Sequence, residues 1–250
     1  MKKFFRFLIY RYDFLFYFYY RYCWKPSSSL DVFLNALSRK KKNFYFIHIG
    51  ANDGVQNDPL YKYIRRDKWK GILVEPQKEI CRRLRENYRN NQHVIIENAA
   101  IDHFAGERVL YKISFSNSRW ASGLSSFLKE EVQKMIDAGY VAKKAEEEGV
   151  ALPPDPADWI ATEKIRCITF MDLVKQYNIE AVDLVMTDVE GYDFEIIKTI
   201  PFHHMKPEVI IYEHSHLAEK AREECRQYLE SMGYAIVLVD ESDTIAQLKQ

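Results

Sequence analysis

From residue 43 onward, short apolar runs bounded by Gly, Pro or Asp recur at 44–49, 71–75, 93–97, 182–187, 208–213 and 234–239. Runs of this length and continuity read as buried strands. Segments with helical signals lie between them, at 57–67, 77–90, 170–178, 191–199 and 217–231. This alternation joins parallel strands through crossover helices, so the expected fold class is α/β, a doubly wound sheet. The closing stretch GYAIVLVDESDTIAQLK holds two strand-like runs about Asp240 to Asp243, which predicts a terminal antiparallel hairpin at one sheet edge. Residues 107–164 break the rhythm with a strand at 107–113, the loop SFSNSRWASGLSS, a charged helix near 128–148 and the stiff turn LPPDP. They read as an insertion over the carboxyl ends of the strands, where ligands of such sheets bind.

The first 42 residues are of another kind. They carry ten Lys or Arg against two Asp, whereas residues 43–250 carry 26 bases against 34 acids. The whole chain is neutral, with 36 of each, which argues against a general nucleic-acid binder. Thirteen of the 36 aromatic residues fall between Phe4 and Trp24. Arg6, Arg11, Asp13 and Arg21 interrupt that stretch, leaving Phe14 to Tyr20 as its longest uncharged run. It suits neither a membrane-spanning helix nor a secretory signal. Residues 1–25 therefore have two readings: an interfacial segment at the inner face of a membrane, or aromatics packed on the domain or on a second copy. Pro26 and Ser27 to Ser29 punctuate the chain, a short helix follows from Leu30 to Ser38, and the basic run Arg39 to Lys42 reads as a solvated linker. Cys23, Cys81, Cys167 and Cys225 are widely spaced and suggest neither a disulfide scaffold nor a zinc site, which favours a reducing, cytoplasmic setting.

The first strand runs into FYFIHIGANDGVQNDP, a turn in which Gly50 and Gly54 allow positive φ and close approach of backbone amides and a helix N-terminus to a ligand. Asn52 and Val55 stand where a dinucleotide fingerprint requires glycine. The second strand, GILVEP, ends in Glu75 and Pro76, and an acid there is placed to accept from both hydroxyls of a ribose. The third, HVIIENAAID, delivers Asn98, Ala99 and Ala100 as a small-residue corner for a flat adenine. A turn, a ribose acceptor and an adenine wall without a diphosphate clamp match the shape of S-adenosylmethionine.

IGANDG, LVEP, ENAAID, MTDVEGYDFEII and PEVIIYEH together resemble the FkbM family of S-adenosylmethionine-dependent methyltransferases over roughly residues 44–213. The resemblance implies a class I methyltransferase fold, a Rossmann-like seven-stranded sheet with one antiparallel strand, and O-methylation of sugars or other hydroxylated metabolites. The methyltransferase domain is then 43–250, with 1–42 as an appendage and linker. Carried over, Gly50, Asn52, Asp53 and Gly54 line the methionine end, Glu75 with Pro76 the ribose, Asn98 and Ala100 the adenine surroundings, and Asp188 the strand end beside the sulfonium. The family often has Asp two residues before the first glycine. His48 stands there in this sequence, either touching the cofactor's amino group or packed as a core histidine.

VDLVMTDVEGYDF ends a strand with Asp188, Glu190 and Asp193 around Gly191, and the next strand ends YEHSH with Glu213, His214 and His216. Such a density of ionisable groups exceeds what helix capping asks for. An acceptor hydroxyl needs its proton removed as the new bond forms, and His214, Glu190 and Glu213 are the candidate bases; Asp188, Glu190 and His214 are the expected catalytic set, with Glu190 and His214 favoured as base. Glu213 and His216 are expected toward the substrate, as is Ser125 in ASGLSS, where either the hydroxyls of Ser122, Ser125 and Ser126 meet a sugar or the cofactor carboxylate or the stretch is a plain flexible loop. The same acids and His also form a set that a divalent cation would accept, although nothing in the spacing demands one, and no metal is expected. Absent GxSxG, HExxH and P-loop patterns argue against hydrolase, zinc-protease and kinase chemistry. The remaining alternatives are an NAD- or nucleotide-sugar-linked oxidoreductase and a non-catalytic, membrane-associated binding module on the same fold.

Overall fold

The computed structural model describes residues 8–238 and 240–249. Lys2, Lys3 and Arg6 of the appendage, with Phe4, Phe5 and Phe7, lie outside the described residues, as does Val239 at the end of the last expected strand. The strands are β1 (Tyr45–Ile49), β2 (Lys70–Val74), β3 (Val94–Glu97), β4 (Ala100–Ile101), β5 (Gly106–Ile113), β6 (Ile160–Ile168), β7 (Leu184–Thr187), β8 (Val209–Glu213), β9 (Tyr234–Leu238) and β10 (Asp243–Leu248). Seven form one sheet in the order β3-β2-β1-β7-β8-β10-β9. Its β3-β2-β1-β7-β8 part is parallel throughout, and β10 runs antiparallel to both β8 and β9. The terminal hairpin is therefore present, but its last strand is inserted beside β8 and leaves β9 at the edge. A second sheet, β4-β6-β5, carries the insertion, and its long strand β6 was not among the sequence-read strands.

The helices are α1 (Asp13–Phe18), continued by a π-helical turn at Tyr19–Cys23, then α2 (Ser29–Lys40), α3 (Tyr61–Asp67), α4 (Lys78–Tyr88), α5 (Arg119–Gly123), α6 (Lys129–Asp137), α7 (Tyr140–Glu148), α8 (Phe170–Gln176), α9 (Asp193–Thr199) and α10 (Glu219–Ser231). The single charged helix expected at 128–148 is split into α6 and α7 because Gly139 takes φ +75°, a left-handed conformation that ends one helix and starts the next. Strand alternation sorts the core. Ile47, Ile49, Ile72, Val74 and Val185 pack on one face against α8, α9 and α10. Phe44, Phe46, Leu73, Leu184 and Met186 pack on the other against α2, α3 and α4.

Part of the appendage joins that second layer. Ser28 accepts from Asp31 N to cap α2, and Leu30 and Leu34 are buried beside Phe44. Lys41 is no solvated linker residue: its ammonium is paired with Asp183 at 2.5 Å and with Glu208, at the amino-terminal ends of β7 and β8. No helix among the described residues is long and apolar enough to cross a membrane.

Candidate functional site

The glycine turn is fixed by how closely the ends of β1 and β7 approach. A Cβ on Gly50, at φ +85°, would lie 1.9 Å from the Asp188 carbonyl oxygen, so no side chain fits there. The amides of Gly50 and Ala51 both donate to the Val74 carbonyl, at 3.0 and 3.1 Å, which carries the turn across to β2. Asn52, itself at φ +48°, donates from its backbone to Glu75 Oε2 at 3.0 Å and from its side chain to Ser122 Oγ at 3.1 Å. Asp53 works behind the turn, where its Oδ1 accepts from the amides of Val55 and Gln56 at 2.9 and 2.8 Å. Gly54 lies under Leu84 and Tyr88 and leaves no room for a Cβ. Asp53 and Gly54 thus shape the turn but do not line the cleft. The expected helix N-terminus is not there either, since α3 begins only at Tyr61 and Asp58 Oδ1 accepts from the amides of Leu60 and Tyr61.

Glu75 is buried at the cleft wall. Its two oxygens accept from the amides of Asn52 (3.0 Å) and Gln77 (2.8 Å), and burial pushes its pKa up to about 7 despite those donors. Each carboxylate oxygen retains acceptor capacity for a further donor. Asn98 points its amide back at the carbonyls of Glu75 and Pro76, at 2.9 and 3.0 Å, so it braces the wall from outside. Pro76, Ala99, Ala100 and Ile101 form the wall itself. The cleft measures about 620 Å³ including its open mouth, a size suited to a nucleoside-sized ligand.

The insertion closes the top. Gln77 Nε2 donates to the Ser122 carbonyl (3.0 Å) and Ser125 Oγ (2.9 Å), and Ser126 Oγ donates to the Glu190 carbonyl at 3.1 Å. The serine loop is therefore tied to both sides of the cleft. Arg119 and Phe127 also line it, and Arg119 is the one cationic side chain among the lining residues.

Across from Glu75 stand Asp188 and Glu190. Glu190 holds a left-handed backbone, φ 51°, followed by Gly191 at φ 91°. Non-glycine residues are rarely kept in such a conformation without a reason at a site. Burial, with the charges of Asp188 and Glu213 nearby, drives the Glu190 pKa well above the usual carboxylate value. Glu213 is pushed up to about 7 by burial and by Asp188. His216 Nε2 sits 3.2 Å from Glu190 and 3.5 Å from Glu213, and burial lowers its pKa, which favours the neutral imidazole. Ligand atoms of Glu190, Glu213 and His216 all fall within 4.8 Å of one another. Asp193 is buried below, its Oδ1 accepting from Thr187 Oγ1 at 2.6 Å.

Besides Asp53, Gly54 and Asn98, two expected histidines are elsewhere. His214 is not at the cleft: its Nδ1 meets Thr244 Oγ1 at 2.9 Å on the buried inserted strand β10. His48 faces the α2-α3-α4 layer, 3.5 Å from Asp58, because β1 alternation puts Ile47 and Ile49 on the cleft side. Gln77, Arg119 and Phe127 belong to the cleft without having been assigned from sequence. Ser122 was legible as part of ASGLSS, whereas Gln77 and Arg119 carry no local pattern that marks them.

A methyltransferase FkbM domain model matches residues 48–236. No curated protein matches the sequence. Among solved structures, methyltransferase FkbM from Methylobacillus flagellatus aligns with a TM-score of 0.51 at 12% identity, over 88% of this chain and 48% of that one. An O-methyltransferase from Bacillus cereus, solved in complex with SAH, gives 0.46 at 11% identity over 90% and 83% of the two chains. Precorrin-6y C5,15-methyltransferase from Geobacter metallireducens gives 0.44 at 10% over 86% and 85%. The likeness to the FkbM structure is one of fold, and the family match spans the glycine turn, Glu75 and the β7 and β8 ends. This chain is a member of the FkbM methyltransferase family, a class I enzyme that uses S-adenosylmethionine.

Proposed function

We propose that the chain methylates a hydroxyl oxygen of a sugar, a glycan precursor or a related small metabolite. The observation that carries this reading is the carboxylate and imidazole pair Glu190–His216, 3.2 Å apart, beside Asp188 and opposite Glu75. The residues present fit S-adenosylmethionine: a buried carboxylate with spare acceptor capacity at Glu75 for the ribose, an apolar wall at Ala99, Ala100 and Phe127 for the adenine, and the Gly50 to Asn52 turn for the methionine end. When bound, the cofactor supplies a methyl group already activated by its sulfonium.

What remains for the protein is to place the acceptor and take its proton. Glu190 takes the hydroxyl proton as the oxygen–carbon bond forms, and burial beside Asp188 and Glu213, which raises its proton affinity, makes its ionised carboxylate the stronger base. His216, its Nε2 3.2 Å from Glu190, stands against that carboxylate and replaces His214 in the role expected from sequence. Family membership leaves the oxidoreductase alternative without support. Incubating the enzyme with methyl-labelled S-adenosylmethionine and a panel of sugar acceptors tests the reading, guided by mass spectrometry of cell-envelope glycans from a deletion strain. Glycans lighter by one methylene support it, and label appearing only on nitrogen or carbon atoms refutes it.

One observation favours a second reading of the same group. Glu190, Glu213 and His216 are close enough to share a divalent cation that would polarise the acceptor oxygen. Full activity in excess EDTA eliminates it, and loss of activity restored by Mg²⁺ or Mn²⁺ favours it.

A further inference from the structure

Methyl transfer leaves the N-terminal aromatic segment without a role, and the structure divides that segment into two faces. One is latched to the domain. Phe16 is 1% exposed, with the Arg65 guanidinium 4.2 Å above its ring. Arg65 donates to the Tyr10 carbonyl at 2.9 Å and to Asp13 at 2.8 Å, and Arg66 donates to the Tyr20 carbonyl at 3.1 Å. The other face is open. Phe14, Phe18 and Tyr22 follow one another at four-residue intervals and are 74%, 50% and 68% exposed. Phe18 and Tyr22 touch each other, with ring centroids 5.3 Å apart, and no core cluster includes them.

We propose that this open face docks the enzyme on an anionic membrane surface, the rings entering the headgroup region while the latched face keeps the helix on the domain. Charge selects the occupant. Arg11, Arg21 and Lys25 in the segment, and Lys68 and Arg89 on the domain, make no ion pair among the described residues. Arg11, Lys68 and Arg89 line a polar groove whose two acids, Asp13 and Glu86, are already paired with Arg65 and Arg82, next to the exposed Tyr12 and Phe14. Aromatic rings with unpaired cations around them match the interface of an anionic leaflet. A second copy of this chain would bring cations against cations. The segment is already ordered against α3, so little conformational entropy is lost on docking. This inference is independent of the acceptor's identity.

The test is flotation of the full chain with phosphatidylcholine vesicles, with and without phosphatidylglycerol. The wild type is expected to float with the phosphatidylglycerol vesicles only and to be released by salt. The F14S/F18S/Y22S variant is expected to lose at least about ten-fold in partitioning while its affinity for SAH is unchanged, because none of the three residues reaches the cleft. Arg89→Glu, a surface change that leaves the aromatics in place, is expected to weaken binding by about five-fold or more. Phe104→Ser, at an exposed ring in the β4–β5 turn, is expected to have no effect. Equal flotation with both vesicle types, no flotation, or unaltered flotation of the triple and Arg89 variants overturns the proposal. So does a wild-type dimer in sedimentation that the triple variant dissociates, since a second copy would then cover the face.

Discussion

The two sides of the cleft are built by opposite means. On the Glu75 side nearly every polar group is held by backbone: two amides on the carboxylate, two carbonyls on the Asn98 amide, and two turn amides on one β2 carbonyl. On the Glu190 side, acids crowd one another, the Glu190 backbone is left-handed, and burial and neighbouring acids raise the cost of each ionised carboxylate. The first arrangement recognises a fixed ligand. The second stores unfavourable interactions that an acceptor proton can relieve, as groups that do chemistry require.

The comparison breaks most visibly under substitution of one acid on each side. Glu190→Gln is expected to lower kcat by about 10²- to 10⁴-fold and to leave SAH affinity within about two-fold, because general-base catalysis contributes in that range. Glu75→Ala is expected to weaken SAH binding by at least about 100-fold, the loss of hydrogen bonds from two hydroxyls to a buried carboxylate. Calorimetric titration and initial rates on both variants decide it. Lost SAH binding in Glu190→Gln together with retained binding in Glu75→Ala would reverse the assignment of roles.

The same contrast explains what was legible in the sequence. The parallel sheet, Glu75 and the alanine corner follow from local patterns, since a strand end in an α/β sheet points at the ligand edge whatever the rest of the chain does. His214 and His216 do not. Strand parity past Tyr212 separates Glu213 from His214, but which face holds the site depends on β10 inserting beside β8, where Thr244 captures the His214 ring. His216 then reaches Glu190 through a turn closed by the Leu217 amide on the His214 carbonyl, at 3.1 Å, which alternation cannot foresee. Gln77 and Arg119 acquire their roles from an insertion folding back over the sheet, a long-range event with no signature at either residue.

Glu75 also makes fold stability and ligand affinity move in opposite directions with pH. Its pKa of about 7 in the empty fold lies above the ordinary 4.5, so the folded chain holds this proton more tightly than the unfolded one. Its contribution to stability is therefore complete below about pH 4.5 and is lost as pH rises through 7, a difference of about 3 kcal/mol. Glu75→Gln is expected to match the wild type in thermal stability at pH 5 and to exceed it at pH 8. SAH affinity should move the other way in the wild type, strengthening up to about pH 7 as the carboxylate becomes able to accept from two hydroxyls, and it should be flat with pH in Glu75→Gln. A wild type equally stable relative to the variant at both pH values would mean that Glu75 is not desolvated in the empty cleft.

The smallest expected effects sharpen the comparison further, because the serine loop touches each side with a different hydroxyl. Ser122 Oγ accepts from the Asn52 side chain at 3.1 Å and so steadies the turn that holds Glu75. Ser126 Oγ donates to the Glu190 carbonyl at 3.1 Å and so steadies the left-handed residue that carries the base. Each bond contributes on the order of 1 kcal/mol, about a five-fold effect. Ser122→Ala is expected to appear in SAH affinity with kcat nearly unchanged, and Ser126→Ala in kcat with SAH affinity nearly unchanged. If both variants instead alter both quantities in proportion, the loop acts as one rigid cover and the two sides of the cleft are not energetically separable.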